Sequence, residues 1–317
     1  KLQWAAGVFD GDGKDYSPAF GLAGATYRDK QPDGTNVRRH LDVGENPPGG
    51  AIVYYWLESQ PESAVELSIY DKKGVMIDKF SSAETENPER RLSEKLGLNR
   101  FVWNLSYRAV QALDRTLVTR DYEPLARERK GRGPAAPPGQ YKVRLSVGEI
   151  RTTASFVLLK DPRVETTQAA FDEQFELLRE LNTRRSELRT QVDRIRQIKR
   201  QLDGLVEKLP KGVRKIIPSV TSIRNKLEII ENVLVDAQRE SPRDVLRRPA
   251  GLDDTLGDLM WCVTMSDTAP PIQTQKVSVE VVKKIDNEIQ KLNKLVDGPI
   301  AALNAKVEKA GVPAIIA

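Results

Sequence analysis

Residues 133–163 read GPAAPPGQYKVRLSVGEIRTTASFVLLKDPR and decide the fold of this chain. Apolar and polar side chains alternate from Tyr141 to Val147, and this period of two predicts a half-buried strand. Gly148-Glu149 offers a tight turn, and Thr152–Leu159 returns with β-branched and aromatic residues. Asp161-Pro162 ends the second strand because proline donates no hydrogen bond to a ladder. The stretch is therefore predicted to be a β-hairpin.

Further short strands are predicted upstream of this hairpin. Both alternating sets of side chains from Ile52 to Leu57 are apolar, which is typical of a strand covered on both faces. Residues 65–69 and 75–80 flank a hairpin turn. Residues 97–103 form another predicted strand, and its core residues are expected to be Leu98, Phe101 and Trp103, with a bulge near Asn99.

About six short strands separated by turn signals predict an immunoglobulin-like, fibronectin type III-like β-sandwich over residues 49–160. Residues 1–48 are rich in Gly, Asp and Pro and have no sustained period. They are expected to be a loosely structured N-terminal arm or the remnant of an upstream domain.

From residue 161 onward the apolar spacing is that of helices. Thr166 or Thr167 is expected to cap a helix that runs to about residue 209. Its heptad positions are Leu181, Leu188, Ile195, Leu202 and Leu209. Further helices are expected after Pro218-Ser219, over 252–263 and after Pro270-Pro271, the last one interrupted at Gly298-Pro299. The predicted fold class is thus a β-sandwich followed by an antiparallel helical bundle over residues 161–317.

Composition excludes several classes of protein. The 317 residues carry 50 Lys and Arg against 45 Asp and Glu. The charges balance in both halves, with 26 basic and 24 acidic residues from residue 161 onward, so a nucleic-acid partner is not predicted. The single Cys262 excludes an intramolecular disulfide and a cysteine-based zinc cage. No apolar run reaches the ~20 residues of a membrane helix, and Lys1 is expected to be a processed end or the start of a fragment.

Two sets of residues are candidates for ligand binding. Asp10, Asp12 and Asp15 lie in a glycine-rich loop, as carboxylates around Ca²⁺ do, and Ca²⁺ is the only cofactor considered. Lys14 interrupts the alternation, so the pattern favours a solvated turn. Trp56 and Trp103 are candidates for stacking on a sugar, although the pattern favours core packing because a sandwich needs bulky side chains.

No catalytic residue is predicted. His40 is the only histidine, so Ser–His and Cys–His catalysis would both depend on it. The adjacent acids Asp253 and Asp254 lie at a predicted helix start, where carboxylates are favoured by the helix dipole. Cys262, beside Trp261, is interpreted as a small buried apolar residue.

A basic run on the longest predicted helix would suit phosphates or an acidic partner. It contains Arg184, Arg185, Arg189, Arg194, Arg196, Lys199 and Arg200, with Glu187 and Asp193 between them. Because these residues fall between the apolar heptad positions, they are interpreted as a solvated helix face.

Several ordered segments resemble one protein family. They are Gly44–Pro48 leading into Ile52–Tyr55, Gly97–Trp103, Pro137–Tyr141, Asp161–Arg163, and Ile300–Ile315 with Asn304 and Gly311-Val312-Pro313. Together they make residues 44–317 similar to the C-terminal region of exported bacterial proteins built on sortilin-like BNR-repeat β-propellers, which are often labelled glycosyl-hydrolase-like. The resemblance implies an immunoglobulin-like module followed by helices, placed after a propeller that this sequence lacks. It also implies a periplasmic or extracellular location.

The function expected from these residues is that of a non-catalytic accessory region that supports the propeller or docks a protein partner. This segment alone is not expected to be an enzyme. One alternative is part of a glycoside hydrolase whose active site lies on the missing propeller. The other alternative is a carbohydrate-binding module that uses aromatic residues of the sandwich.

Overall fold

The structure is a computed structural model that describes residues 17–18, 25–30, 36–40, 49–84, 90–113, 117, 133–209, 211–236, 247–309, 311 and 313–316. Its strands are β1 (Ser17–Pro18), β2 (Ala25–Lys30), β3 (Asn36–His40), β4 (Ala51–Leu57), β5 (Val65–Tyr70), β6 (Met76–Ser81), β7 (Gly97–Trp103), β8 (Gly139–Val147) and β9 (Ile150–Leu158). Its α-helices are α1 (Gln168–Lys208), α2 (Ile217–Leu234), α3 (Leu252–Thr264), α4 (Ile272–Leu295) and α5 (Ala301–Glu308). A β-rich N-terminal part is therefore followed by a helical part, as predicted.

Two compact units divide the chain. One comprises Lys1–Tyr54 with Arg100–Asn104, and the other comprises Tyr55–Asn99 with Leu105–Ala317. The first contains an antiparallel sheet in the order β1-β2-β3. These strands lie within the residues that the sequence predicts to be a loosely structured arm or the remnant of an upstream domain. Their residues are mostly polar, so they pair through backbone hydrogen bonds without the apolar alternation that marks a strand in a sequence.

The second unit contains a four-stranded antiparallel sheet in the order β6-β5-β8-β9. The predicted hairpin is confirmed: β8 and β9 pair from Gly139↔Leu158 to Val147↔Ile150 around Gly148, whose φ is +56°. In the inner strand β5, alternate residues Val65, Leu67 and Ile69 are fully buried. These side chains form the core of the sheet.

Strands β4 and β7 pair as a separate two-stranded sheet with one exposed face. In β4, Tyr55 and Leu57 are buried, whereas Ile52, Tyr54 and Trp56 are exposed, so the prediction of a strand covered on both faces is wrong. Apolar alternation on both faces shows which residues share a face, and it does not show whether another layer covers that face.

The inward face of β7 also differs from the prediction. Asn99, Phe101 and Trp103 are buried, and Leu98 is exposed. Asn99 is accommodated inside because its amide donates to the carbonyl oxygens of Lys95 at 2.7 Å and Gly97 at 3.0 Å. The alternation is regular once Asn99 is counted as an inward residue, so the apparent phase error at Leu98 requires no bulge.

The long helix α1 begins and ends as predicted. The Thr167 hydroxyl accepts a hydrogen bond from the backbone N–H of Ala170 and caps the helix. The heptad residues Leu181, Leu188, Ile195, Leu202 and Leu209 are all buried. Helices α2, α3 and α4 each contact α1, and together they bury one continuous apolar cluster. None of the described helices is long and apolar enough to cross a membrane.

The remaining helices begin near the residues that the sequence predicts. Pro218 lies in the first turn of α2, and α3 and α4 begin at residues 252 and 272. At Gly298-Pro299 the chain forms a π-helical turn over Val296–Ile300 and continues as α5. The π turn is wider than an α-helical turn, so it makes room for the proline ring. It also lies where an α-helical hydrogen bond would be lost, because proline has no N–H to donate.

An extended segment, residues 107–113, lies along α1, and we call it the strap. The ring of Tyr107 lies 4.6 Å from that of Phe175, and burial raises the pKa of the Tyr107 hydroxyl to about 12. Further along, the Asn182 amide donates to the Arg108 carbonyl at 3.4 Å. At its end the strap places Leu113 in the helical apolar cluster. The strap therefore joins the strand-rich residues of the second unit to its helices.

The two tryptophans that the sequence singles out should respond oppositely to truncation. Trp103→Ala removes a fully buried ring and should lower the free energy of unfolding by about 3–5 kcal/mol. Trp56→Ala, at an exposed position, should change it by less than about 1 kcal/mol. Urea denaturation of both variants measures the difference, and equal losses would contradict the assignment of Trp56 to the surface.

Candidate functional site

Two of the sequence candidates lie outside the described residues. These are the calcium candidate Asp10, Asp12 and Asp15, and the side chain of His40, the last residue of β3. Within the described ranges, no group of three or more His, Cys, Asp or Glu side chains is arranged to hold a metal ion.

An exposed apolar surface lies on the outer face of the second unit, and we call it the Trp56 patch. It consists of Trp56, Leu96 and Leu98, whose residues are 67%, 60% and 65% exposed. Gly97 has a φ of +84°, and a Cβ built there would lie 3.6 Å from Cη2 of Trp56. The outer edge of the indole ring therefore rests beside a glycine, with a leucine on either side of that glycine in sequence.

Only one of the two aromatic candidates has a ring that a ligand can reach. Trp103 is fully buried, whereas Trp56 is exposed. Core packing was the favoured interpretation of both residues, and it is wrong for Trp56. Sequence reasoning also missed Leu96 and assigned Leu98 to the core, because its apolar character gives no sign of the face on which it lies.

The basic run of α1 is not the solvated face that the sequence favoured. Arg185, Arg189 and Arg196 are buried, and Arg189 has no exposed surface. The interpretation is wrong for these three residues because three helices contact α1, so its buried stripe extends beyond the heptad positions. Arg200 is exposed, in agreement with the interpretation.

The buried arginines Arg185 and Arg189 both donate hydrogen bonds to the carboxylate of Asp253 on α3. Arg185 donates from Nε to Oδ1 of Asp253 at 3.0 Å and from Nη2 to Oδ2 at 2.9 Å. Arg189 donates to the same two oxygens from Nε at 2.7 Å and from Nη2 at 2.8 Å. Its remaining Nη1 donates to the Gln111 carbonyl of the strap at 3.2 Å. We call this arrangement the Asp253 node, because it joins α1, α3 and the strap.

Asp253 and Asp254 lie in the first turn of α3, as the sequence predicts. Asp253 interacts with two buried arginines as well as with the helix dipole. Burial acts to raise the pKa of the Asp253 carboxyl, yet the hydrogen bonds and charges of Arg189 and Arg185 outweigh it, and the pKa is lowered. A carboxylate held ionised in this way accepts hydrogen bonds and has no proton to donate. The node is therefore built for holding helices together, and it is unsuited to general acid catalysis.

A second buried carboxylate pairs α1 with α2. Glu231 accepts from Nε of Arg196 at 2.8 Å and from Nζ of Lys199 at 2.9 Å. Four members of the basic run are thus engaged by two acids on neighbouring helices. No sequence signal reveals these partners, since they lie 32–68 residues away along the chain.

Cys262 is exposed, and the interpretation of a buried apolar residue is wrong. Leu252, Leu256 and Val263 form the inward stripe of α3, while Trp261 and Cys262 lie on its outer side. The helical period decides this placement.

A groove of about 600 Å³ lies between α1 and α4 and contains several acids. Glu173 accepts from the Gln275 amide at 2.9 Å, and Glu176 accepts from Arg179 at 2.6 Å. Both acids are thus hydrogen-bonded to neighbouring side chains.

No protein-family model, curated protein or solved structure matches this chain.

Removing the charge of the Asp253 node should strongly destabilise the fold. Asp253→Asn leaves two buried guanidinium groups without their carboxylate, and we expect the free energy of unfolding at pH 7 to fall by roughly 3–5 kcal/mol. The matched control is Asp258→Asn, an exposed acid on the same helix, which should change it by less than about 0.5 kcal/mol.

The pH dependence of the destabilisation caused by Asp253→Asn provides a second check on the pairing. Because the pKa of Asp253 is lowered, its stabilising effect is present above the ordinary carboxyl pKa of 3.8 and is lost as the pH falls through the lowered value. The difference between wild type and Asp253→Asn should therefore shrink in acid. A difference that stayed constant down to pH 2 would contradict the pairing.

Two helical glycines should respond oppositely to alanine. A Cβ on Gly204 of α1 would have no neighbour within 4 Å, so Gly204→Ala should raise the free energy of unfolding by about 0.5–1 kcal/mol. A Cβ on Gly257 of α3 would lie 3.2 Å from the guanidinium of Arg185, which is held in the Asp253 node. Gly257→Ala should therefore lower the stability. Thermal denaturation compares the two, and a stabilised Gly257→Ala would show that Arg185 is free to move.

Proposed function

We propose that this chain is a non-catalytic accessory region that docks a protein surface, either the sortilin-like BNR propeller that its sequence resembles or a separate partner protein. An immunoglobulin-like β-sandwich and an antiparallel helical bundle are part of this proposal, as is a periplasmic or extracellular location. The observation that carries it is the Trp56 patch.

The composition of the patch favours a protein partner. Large exposed apolar side chains that lie together mark interaction surfaces, and tryptophan is enriched among the residues that contribute most to protein binding. The indole ring lies beside Gly97, which has an exposed leucine on either side of it in sequence. Exposed leucines beside a tryptophan suit contact with an apolar protein surface.

The structure of the second unit suits a supporting role. The residues of the patch belong to the same compact unit as the helices. Within that unit the strap is hydrogen-bonded to α1, and the Asp253 node links both of them to α3. A binding surface on a stiff scaffold loses less conformational entropy on docking than one on a mobile loop.

A second candidate function is carbohydrate binding through Trp56. The observation that favours it is the exposure of the indole ring, which leaves a face available for stacking on a sugar. Trp103 does not take part in this candidate because it is buried. Participation in a glycosidase whose active site lies on a propeller remains a prediction from the resemblance alone.

Site-specific photo-crosslinking in cells tests the proposal. A photoreactive amino acid at position 98 should capture one defined protein surface, and the same group at Ile150, an equally apolar exposed site of the second unit, should not. Trp56→Ser should weaken binding of the captured surface by roughly 30-fold, as expected for loss of a central tryptophan.

The outcomes separate the candidates. Equal crosslinking from positions 98 and 150, or binding unchanged by Trp56→Ser, would overturn docking through the patch. Binding of an oligosaccharide by the purified chain that is lost on Trp56→Ser would favour the carbohydrate-binding candidate. Hydrolysis of a glycoside by the chain alone would show that it is an enzyme.

A further inference from the structure

The last described residues, 313–316, follow α5 and are bound by side chains of two helices. The Asn304 amide of α5 accepts from the Ile315 N–H at 2.8 Å and donates to the Ile315 carbonyl at 2.9 Å. The Gln201 amide of α1 does the same to the next residue, accepting from the Ile316 N–H at 2.8 Å and donating to its carbonyl at 2.9 Å. Two side-chain carboxamides thus bind the backbone N–H and C=O groups of two consecutive residues.

Each carboxamide imitates one residue of a neighbouring β-strand. In an antiparallel ladder a residue exchanges both its N–H and its C=O with one partner, and successive residues direct these groups to opposite sides. Asn304 therefore binds one edge of the segment and Gln201 binds the other. The backbone of residues 315–316 is held like that of a central strand, although no strand lies on either side of it among the described residues.

The side chains of the segment alternate in the same way. Ile315 is 5% exposed and belongs to the apolar cluster that includes Leu202 of α1 and Leu303 of α5. Ile316 is 83% exposed. Recognition of the segment therefore depends on two backbone units and one branched aliphatic side chain, which is the pattern by which extended peptides are bound.

We propose that Gln201 and Asn304, with the apolar notch under Ile315, form a binding site for an extended peptide that carries a branched aliphatic residue at the buried position. The chain's own residues 313–316 are the occupant in this structure and define the chemistry of the partner, an extended apolar segment of another protein. The segment is joined to α5 through Gly311, which is exposed and has a φ of +69°, a conformation that glycine adopts at little cost. This site is independent of the Trp56 patch.

A competition between the resident segment and a free peptide tests the inference. In the full chain, Ile315→Asp places a charge in the apolar notch and should release the segment. A fluorescent peptide with the sequence GVPAIIA, that of residues 311–317, should then bind at least tenfold more tightly than to the wild-type chain, where the resident segment competes at high effective concentration.

Two matched controls identify the site. Adding Asn304→Ala to Ile315→Asp should weaken binding of the free peptide at least tenfold, because one backbone unit loses both hydrogen bonds. A peptide with aspartate in place of the first isoleucine should bind at least tenfold more weakly than GVPAIIA.

Circular dichroism decides whether the segment is a ligand or a part of the core. Retention of the helical signal by Ile315→Asp, with binding of the free peptide, is the expected result. Unfolding of that variant would make residues 313–316 an integral part of the fold and overturn the inference. Failure of GVPAIIA to bind the folded variant, or binding that ignores Asn304→Ala, would overturn it as well.

Discussion

The guanidinium of Arg189 is the point on which the second unit depends. It is completely buried, and it donates to both oxygens of Asp253 and to the carbonyl of Gln111. A buried charge is tolerated only when its partners are in place, so α1, α3 and the strap must adopt one mutual arrangement. Glu231 imposes the same requirement between α1 and α2 through Arg196 and Lys199. Apolar side chains make up most of the buried cluster of the helices, and these ion pairs link α1 to α2, α3 and the strap.

This use of charge shapes what the molecule can do. A run of arginine and lysine on an exposed helix would attract phosphates or acidic proteins, but here the central members are engaged by acids of the same chain. Among the described residues, the Trp56 patch is an exposed apolar surface, whereas the notch under Ile315 is an apolar site that the chain's own residues 313–316 fill. We propose each of them as a binding site for another polypeptide.

The sequence predicts those parts of the fold that depend on neighbouring residues. The hairpin at 133–163, the Thr167 cap and the heptad stripe of α1 follow from local periodicity and turn chemistry, and the structure contains each of them. They are visible in one sequence because the residues that specify them are close along the chain.

The remaining features depend on contacts between distant residues. Arg185 and Asp253 are 68 positions apart, and Arg189 and Gln111 are 78 apart, so no local pattern pairs them. The exposure of Ile52, Tyr54 and Trp56 depends on the lack of a covering layer over β4 among the described residues, and that is not encoded in the strand itself. Of the three residues of the Trp56 patch, the sequence therefore identified only Trp56 as a candidate for binding. It did not identify Leu96 or Leu98.

Amide hydrogen exchange in the full-length Arg189→Met variant tests most directly whether one guanidinium joins the strap and α3. Methionine fills much of the same space without donating to Asp253 or Gln111. We expect residues 107–113 and the first turn of α3 to lose protection together, while the β8–β9 hairpin stays as protected as in the wild type. Unchanged protection of both segments, or loss in only one of them, would contradict the role assigned to Arg189.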